Sequence, residues 1–268
     1  GYFVSIACQQ DNRSLAASLH RGVVAAIVPR QPTAADPRIF SVEPISGGHR
    51  FAIGIATNKA GQLFVTDNQG NYNPYNELNH VQQGNRFGFI NGWEKSPAFN
   101  PPLTEPAINI PHPWTRSVNG ICFLESKTED AFGPFTGHLV GCELDSRRLV
   151  RMSLQEVNGQ LQGAIYPMSR YHPVDGKTFL GPLVAAVSPT GSLYIGGIRD
   201  SGWGGANNIG ALTRLDYDPE RLGVGIAVVQ ATPDGFEIEW TQAIDQLRAG
   251  QLDQYQIESA RRESTPSY

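Results

Sequence analysis

The chain lacks any run of basic residues. With 21 Lys and Arg against 25 Asp and Glu, its formal net charge is -4. No positive stripe is therefore available to track a phosphate backbone, and nucleic acid is excluded as a partner on charge pattern. There is also no apolar stretch approaching the roughly 18 residues that cross a bilayer as a helix. No secretory leader is visible, and the first residue is not Met.

Cysteine is scarce. Cys8, Cys122 and Cys142 are an odd number, so they cannot all pair internally, and their spacing is not that of a metal site. Cys122 (GICFL) and Cys142 (LVGCEL) sit in apolar, strand-like contexts. They read as small buried hydrophobes or, alternatively, as one bridge. Helix signals are scarce too. The best candidate, residues 241–249, is short and directly follows the strand-like run FEIEW.

What is plentiful is turn and strand. The 29 Gly and 19 Pro stay below the level of a low-complexity chain, while 40% apolar residues suffice for a sizeable core. Residues 58–67 (NKAGQLFVTD) and 188–197 (SPTGSLYIGG) share one grammar: a Gly turn, then a run rich in β-branched and aromatic residues. Residues 1–7 match the second half of it. Residues 137–141 with 148–152 form a related strand pair, and 22–28 (GVVAAIV) and 211–215 (ALTRL) read as further strands. Repeated turn–strand units of irregular spacing, with almost no helix, predict an all-β fold of β-propeller type.

Counting units gives about four blades, the first incomplete at residue 1. Rings of this kind close at ~4–8 blades, so the chain reads as a piece of a longer protein. We expect a partial propeller over residues 1–220, and the truncated start of an immunoglobulin-like β-sandwich over 228–268.

Three polar clusters stand out. The loop 68–79 (NQGNYNPYNELN) follows the strand 63–67, and in it Gln69, Gly70, Asn76 and Glu77 offer hydrogen-bonding groups. They line a site, or they cap backbone groups of a long loop. Residues 112–116 (HPWTR) bring Trp114, a flat apolar face suited to a sugar ring, and Arg116; alternatively Trp114 belongs to the core. Residues 199–208 (RDSGWGGANN), with Arg199 and Asp200, follow the strand 193–197 just as 68–79 follow 63–67. Both loops are thus expected at one mouth of the ring, the usual binding surface of such folds. Arg50 either binds an anionic ligand there or pairs with Asp67. Gly204-Gly205 is no phosphate loop, since neither Lys-Ser/Thr nor a helix follows.

The segments 48–50 (GHR), 54–56 (GIA), 63–67 (LFVTD), 76–79 (NELN) and 84–88 (GNRFG) together resemble one blade of the glucose/sorbosone dehydrogenase superfamily. Residues 114–123, 135–152 and 189–196 follow in the same order, so the resemblance covers about residues 1–217. The loop 67–79 further resembles large multidomain propeller proteins of planctomycete-type bacteria, some with a cytochrome-like domain. The resemblance implies a six-bladed propeller in the periplasm or outside the cell that oxidises a sugar-like alcohol with pyrroloquinoline quinone and calcium. It would assign Arg50 to the quinone, Gln69 to the same loop and the Gly70 carbonyl to calcium. Two positions depart from the pattern: Phe51 stands where the family has Asn, and Asn76 where it has Asp. Of the family's later cationic residues, Arg147 is a stand-in for one Lys. No catalytic base can be named. Two functions follow as expectations: a quinone-dependent sugar oxidoreductase with an electron-transfer partner, or a non-catalytic propeller binding carbohydrate or protein at the same mouth.

Overall fold

The structure, a computed structural model, describes residues 1–8, 21–90, 94, 101–112, 114–169, 180–198, 210–261 and 263–265. The Gly-punctuated runs become antiparallel hairpins. Gly61 (φ 79°) closes the turn between β4 (Ile55–Thr57) and β5 (Leu63–Asp67). Gly191 (φ 93°) does so between β12 (Gly181–Val187) and β13 (Leu193–Ile198). A side chain in that left-handed conformation crowds the backbone, so glycine is favoured.

Among the described residues, four sheets follow one another along the chain. The first is β1 (Tyr2–Ile6), β2 (Val23–Pro29) and β3 (Phe40–Gly47). The second is β4, β5, β6 (Asn76–Val81) and β7 (Ile108–Ile110). The third is β8 (Val118–Phe123), β9 (Leu139–Glu143), β10 (Arg148–Val157) and β11 (Gln160–Pro167). The fourth is β12, β13 and β14 (Gly210–Leu215). A separate hairpin, β15 (Ile226–Thr232) and β16 (Gly235–Trp240), comes last. The fold is all-β and propeller-like: each sheet is a meander, and the first strands β4, β8 and β12 pack side by side.

The two-residue period of a strand builds the core between these sheets. On β5, Leu63 and Val65 face Val24 of the first sheet together with Val81 and Phe87. Phe64, between them, faces Val118, Ile121 and Phe123 of the third sheet. On β9, Leu139 joins that second cluster, while Val140 and Cys142 pack with Leu193 and Ile195 of the fourth sheet. Sheets two and three thus bury both faces, which is why LFVTD and LVGCE read as continuous runs instead of alternating ones.

Several sequence expectations are corrected. Residues 76–79 are not loop: Asn76 to Asn79 open β6, paired with β5 so that Asp67 faces Glu77 and Val65 faces Asn79. A polar strand is stable here because its backbone bonds are met on both sides, by β5 and β7. The long strand β11 went unrecognised, although Asn158-Gly159, both at positive φ, is a two-residue hairpin turn with a strong sequence signal. The helix expected at 241–249 shrinks to one turn, Gln246–Ala249, capped by Asp245. Cys122 and Cys142 are free thiols and not a bridge. Burial pushes both up to about 12, so they stay protonated and serve as core atoms.

Candidate functional site

Strand direction decides which loops meet. β5 and β9 end where β4 and β8 begin, because each pair is antiparallel. The loops 48–54, 68–75, 111–117 and 144–147 therefore lie at one end of the sheets. Arg50, Gln69, Gly70, His112, Trp114, Arg116 and Arg147 all belong to them, and Asn76 and Glu77 lie just beneath.

One device is repeated in successive sheets. Asp67, the last residue of β5, accepts the backbone N–H of Arg50 at 2.9 Å and of Phe51 at 2.6 Å. Glu143, the last residue of β9, accepts the N–H of Arg116 and of Ser117, both at 3.1 Å. Both carboxylates are buried. Each strand-end acid thus fixes the loop feeding the sheet's own first strand, and sets an arginine at the same step of the loop. Arg50 does not use its guanidinium to reach Asp67, as one sequence reading had it; its backbone does. His49 lies behind, with Nδ1 3.7 Å from Asp67 and Nε2 2.9 Å from Ser46 Oγ. This Ser–His–Asp order resembles a hydrolytic triad, but Ser46 is 4% and His49 0% exposed. No substrate reaches them, and their role is to pack the loop.

The side chain of Arg50 runs along Gly70, where a Cβ would stand 2.4 Å from Arg50 Cδ. Glycine at that position is what makes room for the arginine. Gln69 crosses to the next loop, with Nε2 3.2 Å from His112 Nε2. Asn68 likewise donates from Nδ2 to Ser117 Oγ at 3.1 Å, and that hydroxyl donates to Asn119 Oδ1 at 3.2 Å. The second and third sheets are therefore stitched together at the mouth by neutral amides. Burial and the nearby Arg116 hold His112 below the ordinary imidazole range, so it is uncharged at neutral pH.

Asn76 is wholly engaged. Its Oδ1 accepts the N–H of Gln69 at 3.1 Å, and its Nδ2 donates to the carbonyl and the hydroxyl of Thr115, at 2.8 and 3.1 Å. The residue is a staple under the loop. Asn76→Asp would set a carboxylate against the Thr115 carbonyl and should cost about 2 kcal/mol at neutral pH. Part of that loss should be recovered on acidification, when the carboxyl can donate; urea unfolding at pH 7 and pH 5 checks both. Glu77 is buried on β6, with Oε2 accepting from Asn79 Nδ2 at 3.2 Å.

Trp114 packs partly into the core, and one face of its ring is covered by the Arg148 guanidinium 4.7 Å from the centroid. Arg116 points outward, 71% exposed and 3.6 Å from Asp145. Arg147, in the loop below, adopts φ 56°. Arg199 and Asp200 lie outside the described residues. Asp67 was named only as a partner for the Arg50 side chain, and Glu143 was missed as a mouth residue. The only signal for the carboxylates was their shared place at the end of an apolar run.

Two of the donors that the resemblance would give to a quinone–calcium pair are engaged within the protein. The Gly70 carbonyl accepts the N–H of Asn73 at 2.9 Å, closing a tight turn. Asn76, in the place of the family's acid, is committed to Thr115. Beside the arginines of the rim, the site presents neutral amides and an imidazole. Asn68 Oδ1, Gln69 Oε1, Asn119 Nδ2 and His112 Nδ1 are sheltered and make no hydrogen bond within the protein.

Known proteins frame the fold. No family model and no curated protein matches the chain. Among solved structures it is similar to a glucose dehydrogenase-type oxidoreductase from Thermus thermophilus, with TM-score 0.53 and 20% identity over 79% of this chain and 61% of that one. A second glucose dehydrogenase structure gives TM-score 0.51 and 18% identity, over 81% of this chain and 61% of that one. The chain thus spans less than two thirds of these structures, and it has a glucose/sorbosone dehydrogenase-like fold. No helix among the described residues is long and apolar enough to cross a membrane.

Proposed function

We propose that the loop end of this propeller binds a hydroxyl-rich, sugar-like ligand without a quinone, in a protein that works outside the cytoplasm. The observation that carries this reading is the set of neutral atoms at the mouth that make no hydrogen bond, Asn68 Oδ1, Gln69 Oε1, Asn119 Nδ2 and His112 Nδ1; they are covered, so a ligand meets them only as the loop 68–75 gives way. A sugar hydroxyl both donates and accepts, so one ligand can meet amide oxygens and an amide nitrogen alike. Leaving such groups unmet costs about 1–3 kcal/mol each, a driving force for a polar ligand. Arg50 and Arg116 add fixed donors at the rim, and their loops are held rigid by Asp67 and Glu143.

Calorimetry against a panel of neutral and acidic sugars tests the reading. Gln69→Ala and Arg50→Ala should each weaken the best ligand at least fivefold, because each removes about 1 kcal/mol or more of hydrogen bonding. Unchanged affinity in both variants would move the site elsewhere.

A second reading, oxidation of a sugar-like alcohol, draws support from the fold likeness to glucose dehydrogenases and from Arg50 at the rim. It calls for an electron acceptor such as a cytochrome domain. Titration with pyrroloquinoline quinone and calcium, followed by dye-linked oxidation, separates the two. Cofactor binding with turnover would replace the first reading.

A further inference from the structure

The β15–β16 hairpin lies beside β10 and β11 of the third sheet but pairs with neither. Side chains hold it instead. Arg151 of β10, only 4% exposed, donates from Nη1 to the Ala227 carbonyl at 2.7 Å and from Nη2 to the Ile226 carbonyl at 2.8 Å. Its guanidinium is sandwiched between the Phe135 and Tyr166 rings, at 4.4 and 4.2 Å from their centroids. The Tyr166 hydroxyl accepts the N–H of Val229 at 2.7 Å. Gln155 takes Ala231 at both ends, donating to its carbonyl at 3.0 Å and accepting its N–H at 2.9 Å. One edge of β15 is thus met at alternate residues by three side chains, where a neighbouring strand would otherwise meet it.

His138 touches this clamp at its centre, with Nδ1 2.5 Å from Arg151 Nη1. A guanidinium can only donate, so Nδ1 must accept and must be unprotonated. Protonation would set two N–H donors of two cations against each other in a sheltered place. Nη1 would then have to turn away, releasing Ala227. Besides Arg151, the groups around the ring are the Phe135 ring, 6.2 Å away, and, across Arg151, the Tyr166 hydroxyl. Toward Arg151, β15 presents carbonyls. Among the described residues no carboxylate bears on the titration of His138.

We infer that Arg151 and His138 form an acid-released latch, which docks the β15–β16 hairpin on the propeller at neutral pH and frees it when His138 takes up a proton. The sign follows from the buried ring. Burial first, and Arg151 second, push His138 from 6.5 down to about 4. The released state binds more protons between those values, so docking is strongest at neutral pH and weakens as pH falls from 6.5 toward 4. Arg151, held by burial at about 10, keeps its charge throughout. The latch also bears on the mouth, because the chain after the hairpin returns to it. Tyr72 donates its N–H to the Thr265 carbonyl, and Ser264 Oγ donates to the Tyr72 carbonyl, both at 2.7 Å.

Hydrogen exchange on the full chain from pH 7 to pH 4, corrected for intrinsic rates, reads the latch directly. Protection of amides in 226–232 should fall at least tenfold while those of β5 and β9 hold. His138→Asn keeps an acceptor that cannot be protonated at these pH values, and should abolish the fall. Loss of all amides together would mean global acid unfolding and would overturn the proposal. So would an undiminished fall in His138→Asn, or no fall in the parent protein. Arg151→Lys, which keeps the charge but not the fork, should release the hairpin at every pH and guards against misfolding of the first variant.

Discussion

Asp67→Ala should lower stability by about 3–5 kcal/mol, a large share of the roughly 5–15 kcal/mol that holds a typical domain folded. The carboxylate has no exposed surface, and it accepts the N–H groups of both Arg50 and Phe51. Truncation leaves two buried donors without an acceptor, at about 1–3 kcal/mol each, and removes two charge-assisted bonds. Asp67→Asn keeps one acceptor oxygen but turns an NH2 toward the second N–H, so about half the loss is expected. Urea midpoints for the two variants give the comparison; a loss below about 1 kcal/mol for Asp67→Ala would show that the loop is held by something else. Glu143→Ala should behave alike, since its carboxylate takes Arg116 and Ser117 in the same manner.

Gly54→Ala is expected to be at least as damaging, for a steric reason. A Cβ there would stand 2.1 Å from the Asn119 carbonyl oxygen and 2.4 Å from Thr66 Oγ1. The carbonyl belongs to the neighbouring inner strand and cannot swing aside. Gly120 stands at the equivalent place one sheet on, 2.5 Å from the Leu183 carbonyl by the same measure. First strands crowd together where sheets converge on a ring axis, and glycine is what lets the backbones approach. Overpacking a core commonly costs about 1–3 kcal/mol, and contact with backbone sits at the upper end or beyond. A melting temperature within error of the parent would refute the steric argument. Gly223→Ala, with no atom within 4 Å of its Cβ, is the neutral control.

The strand pattern was legible because turn and strand are local properties. A glycine followed by an apolar run needs no partner to be recognised, and it located β5, the pair β9–β10 and β13 correctly. Of the two loops expected at one mouth, the residues 68–75 follow β5 as read, and 199–208 lie outside the described residues. What escaped was whatever depends on a partner far along the chain. NELN looks like loop until β5 and β7 flank it. Asn76 looks like a degraded cofactor residue until Thr115, 39 positions later, takes its amide. Trp114 looks like a sugar platform until Arg148 covers it.

By itself, then, the amino-acid sequence determined the class of fold and the places of several of its turns and strands. Turn glycines and two-residue periodicity act over a few neighbouring residues, and no tertiary contact overrode them. Tertiary structure alone decided the use of each polar side chain. Asp67 and Glu143 hold loops, Asn76 staples one loop to the next, and Arg151 grips a hairpin. A buried polar group must be met by whatever the fold brings to it, and that partner is set by packing between distant segments.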